Sequence, residues 1–172
     1  MKKLLLLSTL FLFVTDAFSQ SQDWALGFEV GEPIAVSVRK YGERNALDIS
    51  FGTYIGLFKS KDNYKVSNDD MGSVGVMFNV SYEWYVPLFN ERISAYAGPG
   101  VQVNSRRYYP DRNVKSVYTT NISTGPSATV GLEFFFAQKP ASFFVEGGGY
   151  LELIPKFFYF NPNLSIGLRH NF

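Results

Sequence analysis

Val74–Val86 reads VGVMFNVSYEWYV. Its even positions, Val74, Val76, Phe78, Val80, Tyr82, Trp84 and Val86, are all apolar or aromatic. Between them stand Gly75, Met77, Asn79, Ser81, Glu83 and Tyr85, which are small, polar or mixed. A period of two places the two sets on opposite faces of a β-strand. At 3.3 Å per residue such a run reaches about 40 Å, where strands of soluble domains average about five or six residues. That length crosses a bilayer core at a strong tilt. Tyr82 and Trp84 fall near one end of the apolar face, where an interfacial aromatic belt would stand.

The same pattern recurs along the chain. Strand-like runs are expected at about 24–31, 34–42, 46–58, 74–86, 92–105, 123–136, 142–153 and 161–172. Gly42–Asn45, Pro87–Glu91 and Ala137–Ala141 are short connections, whereas Lys59–Ser73 and Arg106–Ile122 are long, polar and charged. Ile154–Phe160 is intermediate, and the short Gly31–Pro33 breaks the alternation. Short turns on one rim and longer loops on the other suit an outer-membrane barrel.

Polarity follows the strands. Leu26, Phe28, Val30, Val36, Val38, Ile49, Phe51, Val101, Val103, Val130, Leu132, Leu164, Ile166 and Leu168 share one face. The other carries Glu29, Ser37, Arg39, Asp48, Ser50, Asn79, Glu83, Gln102, Asn104, Thr129, Glu133, Glu146, Glu152 and Arg169. Read as apolar-out and polar-in, this inverts a soluble sandwich. A soluble lipocalin-like barrel is the competing fold, with the faces exchanged; aromatics clustered at strand ends argue against it.

The 172 residues suggest one domain. Net charge is +1, which supports no nucleic-acid role. With no cysteine, disulfides, thiol catalysis, thiolate metal sites and a lipidated N-terminal cysteine are excluded. Aromatics make up 17% of residues and glycine contributes fifteen, a profile suited to aromatic girdles and tight bends in a barrel. Met1–Ser19 reads as a signal peptide: Lys2 and Lys3, an apolar Leu4–Val14, then Ala17-Phe18-Ser19 with cleavage before Gln20. The barrel domain is then expected over 20–172. No stretch is apolar enough for a spanning helix, and in lipid only helices and closed barrels satisfy the backbone internally.

Several segments resemble small eight-stranded outer-membrane β-barrels of Gram-negative bacteria, of the outer membrane protein beta-barrel domain kind. The Val30–Tyr41 stretch, VGEPIAVSVRKY, is similar to that group's Gly-Asp/Glu-Pro turn followed by a strand ending in a basic residue and Tyr. Asn45-Ala46-Leu47, the segment from Tyr82-Glu83 through Pro87-Leu88, Tyr96-Ala97-Gly98-Pro99-Gly100, Gly131-Leu132-Glu133-Phe134 and Ser165–Arg169 also resemble it. The likeness covers 20–172. It implies an eight-stranded antiparallel up-and-down transmembrane barrel closed by its first and last strands, in the outer membrane, and no shared catalytic signature. The C-terminal strand ending at Phe172 resembles the signal read by the barrel-assembly machinery, with His170 where an aromatic often stands.

Inward Glu29, Asp48, Glu83, Glu133, Glu146 and Glu152 outnumber Arg39 and Arg169. A narrow interior is filled by side chains, and buried charges need partners. We therefore expect a structural charge network centred on the two arginines, with a proton or small-cation path as the alternative. His170 is the only histidine, expected on the lipid-facing or periplasmic rim. A Ser–His lipid-modifying enzyme is the remaining reading, and no serine is placed near His170 by sequence. No catalytic residue, cofactor or metal site is expected. Arg106, Arg107, Tyr108, Tyr109, Arg112 and Lys115 are read in a mobile solvated loop that could contact phosphates of lipopolysaccharide or a surface ligand. Phe157–Phe160 is expected in the outer aromatic girdle. Gly147–Gly149 is expected to relieve strain or admit a neighbouring aromatic ring. Outer-membrane lipids are the expected partners, and a monomer the expected state.

Overall fold

The computed structural model describes residues 23–54, 75–88, 92–108, 119–154 and 157–172. Eight strands follow in order: β1 (Trp24–Glu32), β2 (Ile34–Tyr41), β3 (Asn45–Thr53), β4 (Val76–Leu88), β5 (Ile93–Tyr108), β6 (Thr119–Phe135), β7 (Ala141–Glu152) and β8 (Tyr159–Asn171). Each pairs antiparallel with its sequence neighbour, and β1 pairs with β8, so the sheet closes. Closure leaves no free sheet edge. Both described ends meet where Trp24 and Phe172 exchange backbone hydrogen bonds of 3.1 and 2.8 Å. That rim also carries the β2–β3, β4–β5 and β6–β7 turns; β1–β2, β3–β4, β5–β6 and β7–β8 connect at the opposite rim. The signal-peptide reading of Met1–Ser19 lies outside the described residues.

Alternation resolves as apolar-out and polar-in. Leu26, Phe28, Val30, Val36, Phe51, Val101, Val130, Leu164, Ile166 and Leu168 are exposed on the outer wall, whereas Glu29, Arg39, Asp48, Glu83, Glu133 and Arg169 are buried in the lumen. In β4, the even residues through Val86 face outward and Met77, Asn79, Ser81 and Glu83 face inward, as the opening stretch predicts.

The long-loop reading of Arg106–Ile122 is corrected at both ends. The β5–β6 ladder continues past Asn104↔Ser123 through Ser105↔Ile122 to Tyr108↔Thr119. Polar side chains masked this continuation, but pairing satisfies backbone groups whatever the side chains are. Arg106, Arg107 and Tyr108 are thus strand residues, while Tyr109, Arg112 and Lys115 lie outside the described residues. Similarly, Pro87 and Leu88 pair with Ser94 and Ile93, so β4 runs past Val86. β3 leaves the ladder at Thr53; the expected continuation over 55–58 and the start at Val74 lie outside the described residues.

The β1–β2 reversal has Pro33 alone between the strands, preceded by a cis Glu32–Pro33 bond. Gly31 there adopts φ 152°, and a Cβ would lie 2.2 Å from the Leu164 carbonyl oxygen, so this position requires glycine. Two more glycines make room for lumen rings. Tyr96 stands opposite Gly131 and Phe144 opposite Gly167, and a Cβ on either glycine would lie 2.3 Å from the facing ring. The glycine run of β7 divides: Gly149 admits the outward Phe160 ring, Gly148 lies against the Ala128 backbone, and a Cβ on Gly147 would meet nothing closer than 3.7 Å.

These spaces predict contrasting substitutions. Gly131→Val and Gly167→Val each lose about 1–3 kcal/mol of unfolding free energy through overpacking, measured by urea unfolding in lipid vesicles. Gly147→Ala stays within about 0.5 kcal/mol of the unsubstituted chain.

Candidate functional site: the ion-paired lumen

Arg39 is the centre of the lumen. Inward on β2, it stands beside Asp48 across the β2–β3 register, and its Nε lies 2.7 Å from the Asp48 carboxylate. Its Nη2 reaches Glu83 on β4 at 3.0 Å. Nη1 lies 3.7 Å from Glu133 on β6, and Nη2 3.9 Å from Glu146 on β7. Arg169, inward on β8, shares the last two acids, at 3.5 Å from Glu133 and 3.4 Å from Glu146. The planar guanidinium suits such sharing, since its donors point in several fixed directions at once.

Hydroxyl groups complete the acids. Tyr41 and Tyr85 each donate to Glu133 at 2.8 Å, and Ser142 donates to it at 2.5 Å. Tyr85 also accepts from Arg39 Nη1. Tyr96 donates to Glu146 at 2.7 Å, and Ser81 to Glu83 at 3.1 Å. The arginines also lie over aromatic faces: Arg39 is 4.8 Å from the Tyr96 ring centre and Arg169 is 3.4 Å from that of Phe144.

Glu29 joins this network indirectly, by a side-chain hydrogen bond with Glu146, and Glu152 stands elsewhere. Arg39 is opposite Ala25 and Arg169 opposite Gly27, so Glu29 is displaced toward the opposite rim. It accepts a 2.7 Å hydrogen bond from Ser165. Glu152 is buried at the far end of β7, outside the arginine layer. Sequence polarity assigns an inward face but not a height, and stagger between strands sets the height. The tyrosines were missed for a related reason: Tyr41, Tyr85 and Tyr96 read as apolar or mixed, although their hydroxyls are the acids' donors.

Beyond the arginine layer, amides and hydroxyls pair alongside the buried carboxyl groups of Glu29, Glu32 and Glu152. Ser127 donates to Asn79 at 2.7 Å, Gln102 donates to Asn104 at 3.0 Å and to Tyr54, and Tyr54 donates to Asn163 at 3.2 Å. A cavity of about 20 Å³ lies among Glu29, Asn79, Gln102, Glu146 and Ser165, room for about one water.

A closed eight-strand barrel with this inverted polarity can be compared with solved structures. It is similar to the crystal structure of Neisserial surface protein A (NspA), at TM-score 0.56 and 13% identity, covering 87% of this chain and 93% of that one. It is also similar to the N-terminal β-barrel domain of Pseudomonas aeruginosa OprF, at TM-score 0.57 and 13% identity, covering 89% of this chain and 100% of that one. The fold is that of the small outer-membrane β-barrels. No protein-family model matches the chain, and no curated protein matches its sequence.

Within this barrel His170 is exposed on the outer wall, opposite Leu26 and Ala141. Lumen serines Ser142 and Ser165 are on the other side of the wall, donating to carboxylates. Among the described residues no group of three or more His, Cys, Asp or Glu side chains converges as a metal site.

Removing one partner of a buried ion pair leaves charge unpaired, which costs about 3–5 kcal/mol. Arg39→Met is therefore expected to lower unfolding free energy by that amount in urea titrations of the vesicle-embedded protein. Adding Asp48→Asn and Glu83→Gln to Arg39→Met recovers part of the loss, because the stranded carboxylates go with it.

Proposed function

We propose that this chain is an integral outer-membrane β-barrel with a scaffold and surface-interaction role rather than a catalytic one. The observation that carries the reading is the inverted polarity of a closed barrel, with an apolar outer wall around an ion-paired lumen. An apolar wall of this extent is stable in hydrocarbon and unstable in water. The similarity to a Neisserial surface protein supports a surface role. A non-catalytic reading draws support from the opposite facing of His170 and the lumen serines.

In this reading the rim of the chain ends and short turns faces the periplasm, and the rim of the β3–β4 and β5–β6 connections faces outward. Surface contacts then fall to those connections. Arg106, Arg107 and Tyr108 at the loop end of β5, with Tyr109, Arg112 and Lys115 beyond it, offer basic and aromatic groups to phosphates of lipopolysaccharide. Assembly as a monomer is proposed to proceed through the barrel-assembly machinery, engaged by the strand ending at Phe172.

Two measurements test this. Membrane fractionation should recover the protein with the outer membrane, and the unboiled protein should migrate faster on a gel than the boiled one. Recovery as a soluble periplasmic protein would sink the reading. In planar bilayers the protein should add no current above lipid alone, because ions would have to pass the arginine layer. A sustained ion current would replace the scaffold role with transport.

A further inference from the structure

We propose that the β8–β1–β2 wall at the rim of the chain ends is a binding site for an anionic glycerophospholipid of the inner leaflet. This rests on the membrane-barrel reading above. The wall there is apolar and continuous: Leu26 stands opposite His170 and Val38, and Phe28 opposite Leu168 and Val36. A groove on this surface is lined by Leu26, Phe28 and Leu168, with Arg92, Lys139 and His170 around it.

Cationic and donor groups collect at the end of this wall that headgroups reach. Lys40 stands opposite Trp24, and its ammonium lies 5.3 Å from the Trp24 ring centre. That contact holds the charge against the barrel rather than out in water. His170 stacks on Phe172 with ring centres 6.4 Å apart, and Ala141, just past the Lys139 turn, pairs with His170. Lys139 is exposed on the adjoining β6–β7 turn, and Arg92 on the β4–β5 turn beyond it. Arg44 adds a further exposed cation at this rim, against exposed Asp23 and Glu43. Acyl chains would lie along Leu26, Phe28 and Leu168, and the phosphodiester would meet Lys40, Lys139 and His170. The excess of positive charge selects a lipid of net negative charge over a zwitterionic one. Lumen charges are spent on one another and lie behind the wall, so they do not select.

The chain has two tryptophans, Trp24 and Trp84. In a Trp84→Phe background, Trp24 alone reports on the patch. The protein is folded into phosphatidylcholine vesicles containing brominated-chain phosphatidylglycerol, or brominated-chain phosphatidylcholine at equal fraction. Quenching by each gives their relative association with the wall beside Trp24. The expected preference for phosphatidylglycerol is about fivefold at low salt, shrinking at high salt as the headgroup charge is screened. Lys40→Gln with Lys139→Gln brings the ratio close to one, and Lys139→Gln alone, on an exposed turn, reduces it. Equal quenching by the two lipids in the unsubstituted patch overturns the site. So does a preference that survives both lysine substitutions. A protein that fails to enter vesicles as a fast-migrating unboiled band would instead refute the membrane-barrel reading itself.

Discussion

Arg39 joins the circumference of this barrel through a single guanidinium. From β2 it reaches acids on β3, β4, β6 and β7, and it lies over a tyrosine ring on β5. Arg169 on β8 shares two of those acids. β1 joins through Glu29, which shares a hydrogen bond with Glu146 on β7 and accepts one from Ser165 on β8. A slip of one residue in any strand would turn its lumen group to the apolar outer wall. The charge layer is therefore also a register lock. Burying charges is costly unless each is paired, and here the arginines and acids pair with one another.

The rest of the interior is shaped around that layer. Two arginines with their tyrosines and Phe144 nearly fill the lumen section they occupy. Small residues elsewhere make this possible: Ala25, Ala35 and Ala46 are buried, and Gly131 and Gly167 lie beneath rings. Toward the opposite rim, hydroxyls and amides join the buried Glu29, Glu32 and Glu152, and a cavity leaves space for about one water. A polar lumen is thus compatible with a plugged one, because its polar groups bond to each other rather than line a water column.

The ladder between β4 and β5 is interrupted opposite Pro99. Pairing runs from Ser81↔Gly100 to Trp84↔Ala97 with Tyr82 and Glu83 unmatched between. Proline has no N–H to donate. Gly98 meanwhile lies so close to the Tyr82 carbonyl that a Cβ would fall 1.9 Å from its oxygen. Register is kept across the gap, so the wall holds its course although one stretch of the ladder is missing.

By itself the sequence determined that this chain alternates with a period of two, which face is apolar, that eight strands follow one another, and that the acids and arginines share the inward face. Those properties are local, because side-chain direction in a strand depends only on position along it. Tertiary structure decided which acids meet which arginines. Glu152 is inward like Glu133 and Glu146, yet strand stagger carries it away from the arginine layer, and Glu29 meets that layer only through Glu146. Tertiary structure also extended β5 and β6 through polar residues, since a backbone ladder does not read side chains. It made donors of Tyr41, Tyr85 and Tyr96, which composition counts as aromatic. Height in the barrel is a property of all eight registers together, and no single segment encodes it.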